Sequence, residues 1–269
     1  MNGMSGDFFR DGWCRFGADP RLAAWAESAL PAARATVTDP AQAEWHRYQG
    51  TWFAGVNALP NDHSGGVAGG APLAGSAIDF IADTLGHATG KNGFVWDKAQ
   101  ISVCYPGYPQ PMESESDALH RFRRDRDAAH VDGLLRHGPE RRRFLKEYHA
   151  FILGIPMVPF DAGASPFVMW RGSHEMMRSA FRTRFDGIAP ERWTAEDVTD
   201  TYHAARREAF ETCERVEIHA APGEAFLVHR LALHGMAKWQ DNAKAGPDGR
   251  MIAYFRPETG GPAEWLDAP

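Results

Sequence analysis

Three cysteines in 269 residues, at Cys14, Cys104 and Cys213, form no C-x-x-C pair. So few and so scattered, they exclude a disulfide framework and a zinc knuckle, and read as reduced thiols of a cytosolic protein. No apolar run is long enough to cross a bilayer, so no membrane partner is expected. The opening residues, MNGMSGDFFRDGWCRF, lack a basic stretch followed by an apolar one. A secretory signal is therefore not expected, and a cytoplasmic location is. A surplus of positive charge is also missing: Lys+Arg 29 against Asp+Glu 35 leaves −6, which argues against nucleic acid as a partner. Internal repeats and low-complexity tracts are absent as well, which excludes solenoid and propeller arrays.

What remains is the composition of a globular protein. With 43% hydrophobic, 12% aromatic and 24% charged residues, a disordered chain is ruled out. The 27 glycines and 18 prolines favour many short elements joined by turns. The length is compatible with one domain if the fold is mainly β.

The first 98 residues read as mostly helical. Residues 21–30 place Leu22, Trp25 and Leu30 on one face, and Pro31 is expected to interrupt that helix. Residues 76–85 carry Ile78, Ile81 and Leu85 at helical spacing, with Ser76 as N-cap and Gly86 as stop. From residue 99 to 260 the pattern turns to strands. Residues 99–105 alternate with period two, and residues 150–155 are nearly all apolar, as in a strand buried on both faces. Residues 166–170, 215–219, 224–228 and 251–255 complete the set. A helical insertion near 194–213, capped by Thr194, presents Val198, Tyr202, Ala205 and Ala209 on one face. Residues 110–129 are polar and read as a long loop.

The chemistry starts at His130-Val131-Asp132, the one H-x-D or H-x-E among 12 histidines. On an extended backbone residues i and i+2 point the same way, so an imidazole and a carboxylate can aim at one point. That pair suits a divalent first-row metal, and it also fits a surface His beside a surface Asp. A third ligand is available further on, where His229 and His234 both stand as candidates. His234 follows His130 by 104 residues, far enough to lie on another strand. Two histidines and one carboxylate on one face of an ion leave three positions open, the arrangement of non-haem Fe(II) oxygenases. Arg250, Ile252, Tyr254 and Arg256 share one face of a strand, and an inward guanidinium needs an anion.

Four features in this order resemble the phytanoyl-CoA dioxygenase-like family. They are the H-x-D, the stretch from Asp161 to Arg171-Gly172-Ser173-His174, the pair His234-Gly235, and an arginine opening a strand at Arg250. Phe8-Phe9-Arg10-Asp11-Gly12-Trp13 and Tyr105-Pro106-Gly107 are also similar to that family's segments, so the resemblance spans nearly the whole chain. It implies a mainly β fold, a double-stranded β-helix (jelly-roll, cupin-like) with flanking α-helices. It implies an Fe(II)- and 2-oxoglutarate-dependent dioxygenase that uses O2, releases succinate and CO2, and acts on a small-molecule substrate. His130, Asp132 and His234 match the iron ligands, and Arg250 matches the residue that grips the distal carboxylate of 2-oxoglutarate.

The chain departs from the family at three points. Arg171 stands where a proline is usual, the stretch after His234-Gly235 is Met236-Ala237-Lys238-Trp239, and 16 residues separate His234 from Arg250 where about eleven are usual. A hairpin insertion in residues 241–249 accounts for the spacing, and Arg256 remains a second candidate for the carboxylate. An Ala or Gly in place of Asp132 would open a halide site, so the aspartate points to hydroxylation or a related oxidation. His174 reads as a loop brace, and Gln100 and Ser102 as strand residues within reach of the cosubstrate. His149 reads as structural. The run from His120 to Arg126 reads as a solvated loop or as a cradle for an anionic substrate. Two further functions fit the same residues: a cupin-like metal isomerase or lyase without 2-oxoglutarate, and a non-catalytic barrel that only binds.

Overall fold

A computed structural model describes residues 5–86, 94–112 and 114–269. In chain order the elements are β1 (Ser5–Asp7), α1 (Phe8–Asp11), β2 (Trp13–Phe16), α2 (Pro20–Thr38), β3 (His46–Arg47), β4 (Trp52–Gly55) and α3 (Ser76–Phe80). They continue with β5 (Gln100–Cys104), α4 (Asp117–Asp125), β6 (Leu134–His137), β7 (Arg142–Leu145), β8 (Phe151–Pro156) and β9 (Phe167–Trp170). Then come α5 (Ser173–Phe185), α6 (Thr199–Thr212), β10 (Arg215–Ile218), β11 (Ala225–His229), β12 (His234–Met236), β13 (Arg250–Phe255) and α7 (Pro262–Asp267). A π-helical turn, Ile81–Gly86, continues α3.

Eight strands pair antiparallel in the order β1-β2-β11-β8-β13-β5-β4-β3, and a smaller sheet has the order β10-β9-β12. Strand periodicity sorts the side chains into layers. On the outer face of the large sheet, Phe151, Leu153 and Ile155 of β8 and Met251, Ala253 and Phe255 of β13 pack against Leu22, Trp25, Ala29 and Ala33 of α2. On the inner face, Ile152, Phe226, Val228 and Ile252 meet Phe167, Met169 and Ile218 of the small sheet. Behind the small sheet, Val168 and Trp170 pack on Met177, Phe181, Tyr202 and Ala205 of α5 and α6. Each large apolar side chain buried in these layers contributes about 1.5–3 kcal/mol.

The sequence reading needs several corrections. Helix α2 runs through Pro31 to Thr38, because the proline faces solvent while Ala29 and Ala33 on the opposite side stay fully buried. The N-terminal part is not only helical, since β1 to β4 extend both edges of the large sheet. Residues 110–129 are not one loop. Ser116 accepts from the Leu119 N–H at 3.3 Å and caps α4. Thr194 lies in a 3-10 turn, and α6 starts later, at Thr199, with Tyr202, Ala205 and Ala209 on its buried face. Ser76 is the first residue of α3, after Gly75.

The three cysteines are unpaired, and burial pushes the Cys14 and Cys104 thiols up to about 12. Among the described residues no helix is long and apolar enough to cross a membrane.

Candidate metal centre

His130 and His234 come from distant parts of the chain and meet as an antiparallel bridge. The His130 N–H donates to the His234 carbonyl at 2.8 Å, and the His234 N–H donates back at 3.0 Å. The backbone thus fixes both imidazoles side by side, with ring centroids 4.7 Å apart. Gly235 makes the approach possible, since a Cβ there would lie 2.2 Å from the Asp127 carbonyl oxygen. After His130 the chain turns, so Asp132 is placed by a turn and not by strand alternation. Gly133 allows that turn: its φ is +82°, and a Cβ would lie 2.3 Å from the Glu147 carbonyl oxygen.

The donor atoms converge. Asp132 Oδ1 lies 3.2 Å from His130 Nε2 and 3.7 Å from His234 Nε2. The ligand atoms of the three residues all lie within 4.8 Å of one another, a set that could hold a metal ion. Neighbouring ligands on an octahedral ion with bonds of about 2.1 Å sit roughly 3.0 Å apart, so the group is slightly open around a first-row ion.

The outer hydrogen bonds suit that role. The His130 Nδ1–H donates to the Ala128 carbonyl at 3.0 Å, and the His234 Nδ1–H donates to the Ala232 carbonyl at 2.9 Å. Each leaves its Nε2 lone pair directed at the common centre. The Phe167 ring stacks on His234 at 5.5 Å and 7°. Arg256 donates to Asp132 Oδ2 at 3.3 Å and to Gln100 Oε1 at 2.7 Å, which leaves Oδ1 as the atom presented to the histidines. Burial works against ionisation of Asp132, but His234, His130 and the Arg256 guanidinium outweigh it and hold the carboxyl well below its ordinary range. The group is an anion at neutral pH, as a cation requires.

Arg250 lies on the same face of β13. It is 1% exposed, and its guanidinium meets no carboxylate among the described residues. It donates to the Tyr254 hydroxyl at 3.1 Å and touches Met236 Sδ at 3.6 Å, while its Nε has no partner. Both contact residues line a cavity of about 590 Å³ that also holds the His-Asp-His group. A buried, unneutralised guanidinium is costly, so its surroundings favour an incoming anion.

The other singled-out residues sort clearly. His229 is outside the group: buried between β11 and α5, it takes a hydrogen bond from Arg178 Nη2 at 2.8 Å. His174 braces α1, hydrogen-bonding the Phe9 carbonyl at 2.9 Å, and His149 hydrogen-bonds the Arg256 carbonyl at 3.1 Å. Gln100 and Ser102 line the cavity, and Ser102 accepts from Trp52 Nε1 at 3.0 Å. The His120–Arg126 run falls on the second half of α4 and its C-cap Arg126, and Leu119, Phe122 and Arg123 of that helix wall the cavity. Trp52, Arg136, Arg143 and Arg206 in that wall escape the sequence reading, because they sit on four separate elements with no shared motif.

No protein-family model matches the chain, and no curated protein matches it. Among solved structures, AviO1 from Streptomyces viridochromogenes Tue57 is similar at 12% identity over 97% of this chain and 93% of that one, with a TM-score of 0.47. The epimerase SnoN in complex with Fe3+, alpha ketoglutarate and nogalamycin RO is similar at 13% identity over 94% and 80%, TM-score 0.47. EctD from S. alaskensis with 2-oxoglutarate and 5-hydroxyectoine is similar at 15% identity over 94% and 73%, TM-score 0.46. Identities this low and TM-scores below 0.5 transfer neither activity nor substrate to this chain.

Proposed function

We propose that the protein is an Fe(II)- and 2-oxoglutarate-dependent oxygenase with a double-stranded β-helix core. In this reading it hydroxylates a small-molecule substrate and releases succinate and CO2. The observation that carries the reading is the convergence of His130 Nε2, Asp132 Oδ1 and His234 Nε2 in one cavity, with the buried guanidinium of Arg250 directly behind the cavity-wall residues Tyr254 and Met236. Fe(II), 2-oxoglutarate and O2, when bound, supply the oxidising chemistry.

The chain's own residues supply geometry. His130 and His234 offer neutral nitrogens, kept in one tautomer by their Nδ1–H bonds to backbone carbonyls. Asp132 offers one oxygen and keeps the other on Arg256, which stops the carboxylate from rotating. Arg250, oriented by Tyr254, takes the distal carboxylate of the 2-oxo acid. Arg256 is the weaker candidate for that carboxylate, because its guanidinium is already held by Asp132 and Gln100. Ile152, Phe167 and Tyr254 form an apolar wall that limits water around the reacting carbon.

The test is succinate release by protein loaded anaerobically with Fe(II) and then given 2-oxoglutarate and O2. Release above the protein-free background, lowered at least a hundredfold in Asp132→Ala, is expected. Undiminished release in that variant would overturn the assignment. Calorimetry separates out a metal isomerase or lyase: Mn(II)-loaded protein that fails to bind 2-oxoglutarate rules out the cosubstrate.

A further inference from the structure

The cavity wall holds a second, unclaimed feature. Arg136 and Arg143 stand directly opposite each other in the β6–β7 ladder, and both line the cavity. Like charges in directly opposed positions destabilise a strand pair. Arg143 is held over the Tyr202 ring at 5.0 Å, and Arg206 of α6 lies over the same ring at 5.3 Å and over Phe122 at 4.9 Å. Two guanidinium groups are therefore gathered on one buried tyrosine, and Arg136 stands opposite one of them in the ladder. No carboxylate among the described residues pairs with any of them, and the buried Arg206 Nε and Tyr202 hydroxyl have no hydrogen-bond partner. Burial, with Arg206 and Arg141 nearby, moves the half-buried Arg143 down from the usual guanidinium range.

The acids of the cavity wall offer no relief. Asp127 is taken by Arg215 at 2.7 Å, Glu147 by His149 at 3.2 Å, and Asp132 by Arg256 at 3.3 Å. The cavity is thus electropositive in a chain whose net charge is −6. A focused field of this kind draws an anion out of solution. Planar guanidinium forks match the oxygens of a phosphate better than any other side chain does.

We propose that the substrate is a phosphorylated small molecule whose phosphate or diphosphate docks on Arg136, Arg143 and Arg206, with the reacting carbon at the His-Asp-His group. Arg136 follows Asp132 by four residues, so the two Cα atoms are at most roughly 13 Å apart. Trp52 and Tyr48, which stack on each other in the same wall, offer the substrate an aromatic surface. The identification of the anion's carrier as the substrate rests on the oxygenase reading; the anion site itself does not.

The test uses inorganic pyrophosphate as probe and full-length, metal-free protein in EDTA, titrated by calorimetry at fixed ionic strength. Saturable binding is expected, weakened at least tenfold in Arg143→Met and in Arg206→Met and lost in the double variant. Arg136→Gln, at an exposed strand position, removes one of the three charges without disturbing the core and should weaken binding several-fold. Arg124→Met, at an exposed pair with Asp125 outside the cavity, should bind as the parent does. No saturable binding, binding unchanged in Arg136→Gln and the double variant, or equal affinity for acetate would each overturn the proposal. Mn(II) titration of the same proteins reads the His-Asp-His group independently, so a failed metal site and a failed anion site are told apart.

Discussion

Gly235→Ala is the most direct probe of how the centre is built. The added Cβ would lie 2.2 Å from the Asp127 carbonyl oxygen, 3.1 Å from that carbonyl carbon and 3.2 Å from the Ala129 Cα. All three are backbone atoms, so no rotamer change relieves the clash. An ordinary contact needs about 3.5 Å, so β12 and the segment leading to His130 must separate by roughly 1 Å. Three backbone bonds join them: His130 N–H to His234, His234 N–H to His130, and Met236 N–H to Asp127, at 2.8, 3.0 and 2.9 Å. At a net value of about 1 kcal/mol each, losing them costs about 3 kcal/mol, a large share of the stability of an ordinary domain. The same shift pulls His130 from His234, and a misplacement of about 1 Å can cost roughly a hundredfold in a reacting site. Urea unfolding and Mn(II) calorimetry read the two effects. Gly246→Ala, where a Cβ meets nothing within 4 Å, is the neutral control. Gly235→Ala protein with the parent's unfolding midpoint and Mn(II) affinity would refute the close-approach argument.

Other expectations follow from the same contacts. Arg250→Gln should raise the KM for 2-oxoglutarate by about 10- to 150-fold, the loss of a charge-assisted bond worth about 1.5–3 kcal/mol, while Mn(II) affinity stays constant. Arg256→Met frees Asp132 Oδ2 and should do the reverse, lowering Mn(II) affinity about 10- to 100-fold in the same titration. The pH dependence of stability should come partly from His174 and His229, whose burial holds both rings below the ordinary 6.5. Their neutral forms favour the fold above 6.5, and stability should fall as pH drops below it, by up to about 1.4 kcal/mol per unit for each ring; urea midpoints between pH 7.5 and 5.5 measure this, and His174→Gln should reduce the slope.

The parts of the fold legible in sequence were those with strong periodicity. The apolar run at residues 150–155 matches β8, every residue of which is buried. The spacing of Val198, Tyr202, Ala205 and Ala209 marks a real buried face. Local rules misled where tertiary burial overrode them. Pro31 removes one donor on the wet side of α2, and the apolar stripe carries the helix past it. Strands β1 to β4 are only two to four residues long, too short for alternation to register. At the site, H-x-D is legible as a motif, but strand alternation does not aim it: Asp132 is placed by a turn at Gly133. Of the two candidate histidines, His234 bridges to His130, while His229 takes a hydrogen bond from Arg178. The arginine cluster was invisible because Arg136, Arg143 and Arg206 become neighbours only through a ladder and a shared tyrosine ring.

Strand β13 links the two halves of the proposed chemistry. Its outward residues Met251, Ala253 and Phe255 are locked against α2, so its inward set of Arg250, Ile252 and Tyr254, and the following Arg256, is fixed by parity. Arg250 and Arg256 are roughly 20 Å apart along the strand at Cα. Each reaches back toward the middle, Arg250 to the Tyr254 hydroxyl and Arg256 to Asp132. One guanidinium is thereby neutralised and the other left without an anion, although both rest on the same backbone. In the proposed reading that asymmetry gives them different work: Arg256 holds Asp132 in place, and Arg250 is the guanidinium left for the carboxylate of the 2-oxo acid. A one-residue slip of β13 would exchange both arginines for apolar side chains. The packing of Phe255 against Trp25, with ring centroids 5.6 Å apart on the far face of the sheet, is therefore part of what holds Arg250 and Arg256 in register with the His-Asp-His group.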